Sequence, residues 1–144
     1  MAKERVLFLC AHNSARSQMA EGILRHLAGD RYEAASAGSA PTAVHPLAIE
    51  VLAERGVDIS GQRSKDVREF LGHAFDEVIV LCGDDAPGSC PFFPGGRQEH
   101  VPFPDPASAE GGEDEMRGAF RQVRDALWNW VTGRFVEGGE RHEG

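Results

Sequence analysis

The sequence predicts a single α/β domain in which a parallel sheet is covered by helices on both faces, a three-layer α/β/α arrangement. The chain has 144 residues, which suits one domain with one core. Segments with strand and helix character alternate along it, and no internal repeat is present. Strands joined by helices form right-handed crossovers, so the strands should run parallel. We assign residues 1–133 to this domain and the polar residues 134–144 to a flexible C-terminal tail.

Short apolar runs predict the strands, and apolar residues that recur every three or four positions predict the helices. Four strands are predicted, at 5–9, 32–37, 77–81 and 100–103. Four helices are predicted, at 15–28, 46–55, 66–71 and 113–131. Pro46 suits the first turn of the second helix, and Gly56 suits its C-cap.

Charge and hydropathy exclude several classes of function. The formal net charge of −8 argues against general nucleic-acid binding, which needs clustered Lys and Arg. No apolar run approaches the roughly 18 residues that a membrane span requires, and the run at 6–9 is too short for a signal-peptide core. We therefore expect a cytoplasmic monomer that binds neither nucleic acid nor membrane.

Three polar side chains follow predicted strands directly or closely. Cys10 follows the first strand, Cys82 the third and Asp105 the last. In open parallel sheets, ligands bind outside the carboxyl ends of the strands. These three side chains should therefore meet at one edge of the sheet, where we expect the chemistry.

The segment that begins at Cys10 has the sequence Cys-Ala-His-Asn-Ser-Ala-Arg-Ser, between a predicted strand and a predicted helix. Its backbone N–H groups and the helix N-terminus could surround a tetrahedral oxyanion. Arg16 offers the anion a planar fork, and these groups together favour the thiolate of Cys10, to which Ser17 can donate its hydroxyl. The oxyanion-binding residues would be Ala11, His12, Asn13, Ser14, Ala15, Arg16 and Ser17. The alternative is a buried cysteine followed by an unrelated helix cap.

Together with the residues Gln18-Met19-Ala20-Glu21-Gly22 behind it, this loop resembles that of the low-molecular-weight tyrosine phosphatase fold. In particular, it is similar to the thioredoxin-coupled arsenate reductases. Ser36-Ala37-Gly38 and the Asp105-Pro106 pair also fit, and the similarity extends over residues 6–131. The resemblance implies a four-stranded parallel sheet flanked by helices, and no bound metal or flavin cofactor.

Cys82 and Cys90 are separated by seven residues rich in Gly, Pro and Asp. Such a pair can close a disulfide at small entropic cost and pass it from a buried site to the surface. The resemblance supports this interpretation because phosphatases of this fold do not need the pair, although the spacing is one residue wider than in the best-known reductases. The alternatives are a metal site with Asp84 and Asp85, or two cysteines that only fill the core.

Asp105 is the candidate general acid. Oxyanion transfer to a thiol needs a proton for the departing oxygen, which a carboxylic acid can supply. The phosphatase relatives use the Asp of an Asp-Pro pair, and Asp105 matches it. They typically have Tyr after the pair to stack on an aromatic substrate, whereas this chain has Ala107, which disfavours a phosphotyrosine substrate. The alternative is a plain Asp-Pro turn.

Asn13, Ser17 and Ser36 are expected to support the loop, with Asn13 and Ser36 hydrogen-bonded to each other. The alternative is that Asn13 and Ser36 are simply turn residues. Some relatives bind a potassium ion nearby, and this chain has Arg63 and Lys65 at the matching positions. We hypothesise that the Lys65 ammonium replaces the ion; the alternative is a solvated basic turn.

The loop, the cysteine pair and the resemblance together predict an arsenate reductase. Cys10 would attack arsenate, Cys82 would attack Cys10 and release arsenite, and Cys90 would attack Cys82. Thioredoxin would reduce the resulting disulfide, although glutaredoxin or mycothiol could replace it. One alternative is a low-molecular-weight protein tyrosine phosphatase that uses Cys10, Arg16 and Asp105. Another is a non-catalytic oxyanion or redox sensor, which would be oxidised once without turnover.

Overall fold

Four parallel strands form one sheet in the computed structural model of the chain, which describes residues 3–83 and 91–137. The strands are β1 (Glu4–Leu9), β2 (Tyr32–Ala37), β3 (Glu77–Val80) and β4 (Arg97–His100). The described part of the chain also has three α-helices, which are α1 (Arg16–Ala28), α2 (Pro46–Ala53) and α3 (Glu113–Val131). The predicted α/β class and parallel sheet are confirmed.

The two faces of the sheet are covered by different elements. Val6 and Phe8 of β1 pack with residues of all three α-helices in the larger core cluster. Leu7 and Leu9 belong to a smaller cluster on the other face, against which the 3-10 turn Val67–Phe70 packs. Successive side chains of a strand point to opposite faces, so β1 must be apolar at consecutive positions because both of its faces are buried.

Most predicted elements agree with the structure. β2 and α3 have the predicted bounds, and β1, α1, α2 and β3 differ from them by one or two residues at an end. The predicted helix at 66–71 is a 3-10 turn, capped by Asp66, whose carboxylate accepts a hydrogen bond from the Arg68 N–H at 2.8 Å. Among the described residues, no helix is both long and apolar enough to cross a membrane.

The predicted position of the last strand, 100–103, is wrong. The structure places β4 at Arg97–His100, where it pairs with β3 at the edge of the sheet. An edge strand is held by backbone hydrogen bonds and can be polar on both faces, so hydropathy does not mark it. Its Arg97 guanidinium instead forms ion pairs with Glu4 at 2.9 Å and Glu77 at 3.4 Å.

The packed chain extends beyond the predicted boundary at 133. A π-helical turn, Thr132–Glu137, follows α3, and its Phe135 is fully buried. The Phe135 ring lies edge-on to Phe8, Tyr32 and Trp130, with ring centroids 6.3, 5.0 and 5.7 Å away. The tail after Glu137 lies outside the described residues and stays a prediction.

Replacing Phe135 by Ala should lower the free energy of unfolding by about 3–5 kcal/mol, because it leaves a cavity among three aromatic rings. Chemical denaturation would measure this. Phe92→Ala is the control, since Phe92 is 72 % exposed and its loss should change stability by less than about 0.5 kcal/mol. Equal effects of the two substitutions would place this turn outside the core.

The strand order β2-β1-β3-β4 reverses direction between β1 and β3. The chain moves from β1 to β2 on one side and then returns to place β3 on the other. Leu9 pairs with Val80 there, so Cys10 and Cys82 emerge at the same edge. Open α/β sheets bind ligands at such a switch point, outside the carboxyl ends of the strands.

Candidate active site

The loop after β1 is held in place through its carbonyl oxygens. Three carbonyls of the loop are bonded by N–H groups of residues 40–45: Ala40 to Ala11 at 2.9 Å, Thr42 to His12 at 3.2 Å, and His45 to Ser14 at 2.9 Å. The Ser64 hydroxyl also donates to the His12 carbonyl, at 3.0 Å. Because the carbonyls are tied to these neighbouring segments, the loop keeps a fixed shape without using its own N–H groups.

Those N–H groups have no hydrogen-bond partner among the described residues. Within residues 3–83 and 91–137, the backbone N–H groups of residues 11–15 donate no hydrogen bond, and Ala15 gives α1 no side-chain cap. The first turn of a helix presents further N–H groups that the helix itself does not use. Unpaired donors beside the positive end of a helix dipole bind anions. The geometry therefore fits a tetrahedral oxyanion held by residues 11–17.

Cys10 lies at the base of this loop and is 2 % exposed. Its Sγ is 2.8 Å from the Ser17 Oγ. The Asn13 Nδ2 donates to that same oxygen at 2.7 Å, which leaves the hydroxyl proton of Ser17 available to the sulfur. A donor to the sulfur favours the thiolate, the nucleophilic form of a cysteine.

Asn13 is fixed on both its backbone and its side chain. Its φ is 49°, in the left-handed region that Asn tolerates better than most residues. Its Oδ1 accepts hydrogen bonds from the Gln18 Nε2 at 2.7 Å and the Lys65 N–H at 2.8 Å. These two donors orient the amide so that its nitrogen faces Ser17.

The predicted hydrogen bond between Asn13 and Ser36 is wrong. The buried Ser36 hydroxyl bonds to the Glu21 Oε1 at 2.5 Å instead. Glu21 is a buried carboxylate on α1 and needs donors, whereas the Asn13 amide is already bonded to Ser17, Gln18 and Lys65. Ser36 therefore supports the helix behind the loop and not the loop itself.

Lys65 brings a positive charge to the same carboxylate. Its Nζ lies 3.6 Å from the Glu21 Oε1, its side chain is 11 % exposed, and it donates to the Arg63 carbonyl at 2.8 Å. Burial lowers the pKa of Lys65, and the charge of Glu21 partly opposes this. The ammonium is thus enclosed, and the Lys65 N–H bond to Asn13 connects it to the loop.

Arg16 and Asp105 lie next to each other. The buried Arg16 donates from Nη1 to the Phe103 carbonyl at 3.2 Å, and its Nη2 is 4.0 Å from the Asp105 Oδ2. The other Asp105 oxygen accepts the Ala107 N–H at 3.0 Å and caps the 3-10 turn Pro106–Ser108. Asp105 therefore forms the Asp-Pro turn and also keeps one oxygen on the side of Arg16. Its side chain is 32 % exposed, so solvent reaches the carboxyl group.

His45 joins the loop to α2. Its N–H bonds to the Ser14 carbonyl, and its Nδ1 accepts the Leu47 N–H at 3.1 Å, which caps the helix. An accepting Nδ1 places the ring proton on Nε2, so the ring is neutral here. Burial lowers the pKa of His45, although the nearby Asp105 carboxylate partly raises it.

Cys82 follows β3 and is 3 % exposed. Its carbonyl accepts a hydrogen bond from the His100 Nε2 at 2.7 Å. Cys90, Asp84 and Asp85 lie outside the described residues, so the structure does not place the second half of the predicted relay or the alternative metal site. Across residues 3–83 and 91–137, no group of three His, Cys, Asp or Glu side chains could hold a metal ion.

Gln18 and Gly38 support the loop, and sequence reasoning gave neither of them a role. Gln18 is fully buried and donates to both the carbonyl and the Oδ1 of Asn13. At Gly38, a Cβ would lie 2.5 Å from the Ala11 carbonyl oxygen and 2.6 Å from that of Cys10. Both residues belong to segments that carried the family resemblance, and that was the only signal of their importance.

The substitution Gly38→Ala should displace the loop and weaken phosphate binding about tenfold or more, because small displacements at such sites are costly. Protection of Cys10 from iodoacetamide by phosphate would measure the affinity. Gly61→Ala is the control, since nothing lies within 4 Å of a Cβ at that position. Equal phosphate affinity in both variants would show that the loop tolerates the methyl group.

Comparisons with known proteins agree with this geometry. The low molecular weight phosphotyrosine protein phosphatase family matches residues 5–136. An arsenate reductase from Bacillus licheniformis is 43 % identical over 141 residues, which cover 97 % of this chain and 100 % of the relative.

Solved structures of arsenate reductases also match this chain. An arsenate reductase in the phosphate binding state superposes with a TM-score of 0.72 at 32 % identity, covering 93 % of this chain and 98 % of that chain. A thioredoxin-dependent arsenate reductase from Corynebacterium glutamicum has a TM-score of 0.62 at 36 % identity, covering 90 % of this chain and 62 % of that chain. The chain therefore belongs to the low molecular weight phosphotyrosine protein phosphatase family and, within it, to the arsenate reductases.

Proposed function

We propose that this chain is a cytoplasmic arsenate reductase that converts arsenate to arsenite through three cysteines and is regenerated by thioredoxin. The main support is the loop of unpaired N–H groups at residues 11–15, above a buried Cys10 whose sulfur lies 2.8 Å from the Ser17 hydroxyl. The thioredoxin dependence of the Corynebacterium glutamicum relative supports the choice of reductant.

In the first step, the Cys10 thiolate attacks arsenate held by the loop and by the Arg16 guanidinium. An S–As bond forms and an As–O bond breaks, while Asp105 gives a proton to the departing oxygen, which leaves as water. Arsenic remains pentavalent. The Ser17 hydroxyl stabilises the thiolate beforehand, and the fixed N–H groups stabilise the charge that develops on the arsenate oxygens.

In the second step, the Cys82 thiolate attacks the Cys10 sulfur. The S–As bond breaks and its electron pair stays on arsenic, which is reduced from As(V) to As(III) and leaves as arsenite. Cys90 then attacks Cys82, and the Cys82–Cys90 disulfide is reduced by the two thiols of thioredoxin. The sum is arsenate and reduced thioredoxin giving arsenite, water and oxidised thioredoxin.

The decisive experiment follows NADPH oxidation by the reduced protein with thioredoxin, thioredoxin reductase and arsenate. We expect sustained turnover that is lost in Cys10→Ser, Cys82→Ser and Cys90→Ser. Ser60→Ala, which changes an exposed serine paired with Asp58, is the control and should retain turnover.

Three results would contradict the proposal in different ways. Hydrolysis of an aryl phosphate that needs Cys10 alone, without arsenate reduction, would identify a phosphatase. A single stoichiometric oxidation without turnover would identify a sensor. Turnover supported by glutaredoxin or mycothiol but not by thioredoxin would confirm the reduction of arsenate and contradict only the choice of reductant.

We also propose that the Lys65 ammonium takes the place of a bound cation beside Glu21. Lys65→Met removes the charge, so kcat/KM should fall about three- to tenfold and recover partly when potassium replaces sodium at constant ionic strength. Lys3→Met, at an exposed position, is the control. Loss of activity without any response to potassium would leave Lys65 only a structural role.

A further inference from the structure

The hydrogen bonding between the β3 and β4 segments becomes irregular just before Cys82. The Val101 N–H donates to the Val80 carbonyl at 2.9 Å. A regular parallel ladder would place the next bond two residues further along each strand, from Phe103 to Cys82. Instead, the Phe103 N–H donates to the Leu81 carbonyl at 3.1 Å. The ladder therefore slips by one residue, and the Cys82 carbonyl takes no bond from it.

A side chain bonds this carbonyl instead. The His100 Nε2 lies 2.7 Å from the Cys82 oxygen, and because a carbonyl can only accept, the imidazole is the donor. The backbone of His100 is fixed in β4, opposite Val80, while its ring reaches beyond the end of β3. An Nε2–H is present in both the neutral tautomer and the protonated ring, so the bond does not require one particular charge.

The residue after Cys82 is also closely packed. A Cβ at Gly83 would lie 2.7 Å from the Phe103 carbonyl oxygen, so there is no room for a side chain between this residue and that carbonyl. The same oxygen accepts the hydrogen bond from Arg16. His100 thus bonds the carbonyl of Cys82, and the next residue lies against a carbonyl that also holds the arginine of the oxyanion site.

We propose that His100 is a positioning residue for Cys82, holding its backbone where its sulfur can attack Cys10. The inference rests on the proposed function, since it concerns the step in which these two cysteines form a disulfide. Leu81 is held on both sides, by the Leu9 carbonyl at 2.8 Å and by the Phe103 N–H. Cys82 is the first residue beyond this fixed pair, and the imidazole holds its carbonyl oxygen in place.

Removal of the imidazole should slow only the second step. A less restricted Cys82 spends less time in the geometry required for attack, which lowers its effective concentration near Cys10. The hydrogen bond of His100 is made to a backbone oxygen of Cys82 and not to a loop residue. Oxyanion binding and the reactivity of Cys10 should therefore be unaffected.

The test uses a Cys90→Ser background, in which the reaction stops at the Cys10–Cys82 disulfide. Reduced protein is mixed with arsenate and quenched with a thiol-trapping reagent, and the disulfide is measured by mass spectrometry. We expect formation about tenfold slower in His100→Ala and partly recovered in His100→Gln, whose amide can donate to the same oxygen. The exposed His73 provides the control variant His73→Ala, which should match the background.

A second measurement separates positioning from a general structural effect. Alkylation of Cys10 by iodoacetamide, and its protection by phosphate, should be equal in all these variants. Equal disulfide rates with and without His100 would overturn the inference, and so would a parallel loss of Cys10 alkylation or phosphate protection. Absence of an arsenate-dependent disulfide when His100 is intact would instead refute the proposed function, so the two failures are distinguishable.

Discussion

Arg16→Lys should lower kcat/KM for arsenate by about 10²–10³-fold, the loss typical of removing one donor to a developing oxyanion. Lysine keeps the charge but loses the planar fork that can bond two oxygens of the anion. It also loses the Nη1 bond to the Phe103 carbonyl, which fixes the direction of the guanidinium. Steady-state kinetics with thioredoxin, together with phosphate protection of Cys10, would measure both turnover and binding.

The matched control is Arg68→Lys, because Arg68 is exposed and pairs with a single carboxylate, that of Asp66. Surface ion pairs of this kind contribute little, so its kinetics should stay within about twofold of wild type. Wild-type kinetics in Arg16→Lys would mean that a positive charge beside the loop is sufficient and that the planar fork is not required.

Asp105→Asn should lower kcat by about 10²–10⁴-fold, the range expected for loss of a general acid. The amide oxygen can still accept the Ala107 N–H, so the turn after Asp105 should persist. Phosphate affinity should be unchanged or slightly higher, because a negative charge 4.0 Å from Arg16 is removed. Rapid-quench kinetics of the first turnover would measure the chemical step directly.

Asp58→Asn is the control for this substitution. Asp58 likewise accepts the N–H two residues later, from Ser60 at 2.9 Å, but it is exposed. Its replacement should leave turnover unchanged. If the loss of activity in Asp105→Asn were fully explained by a smaller folded fraction, Asp105 would be a turn residue without a chemical role.

The parts of the site that could be predicted from the sequence are those fixed by local geometry or by the common direction of the parallel strands. Cys10 and Ser17 are seven residues apart and flank one loop between a strand and a helix, so their contact follows from local geometry. The position of Asp105 near Arg16 followed from the rule that the carboxyl ends of parallel strands share one edge.

The contacts that could not be predicted join distant residues through the order of the strands. Lys65 donates to Asn13 across 52 positions, and the His100 imidazole bonds the Cys82 carbonyl only because β4 lies beside β3. No periodicity indicates such pairs. The last strand was misplaced for a related reason, since an edge strand is specified by backbone pairing and not by apolar side chains.

The unpaired N–H groups of the loop also affect the stability of the whole chain. Ala11, Asn13 and Ala15 are buried, and a buried N–H without a partner raises the free energy of the folded state. An oxyanion that binds only the folded chain would stabilise it, by about 2.7 kcal/mol at a hundredfold excess over its dissociation constant. The folded fraction of this protein should thus rise with the oxyanion concentration around it, so that arsenate or phosphate bound in the loop would stabilise the fold before any bond to sulfur forms.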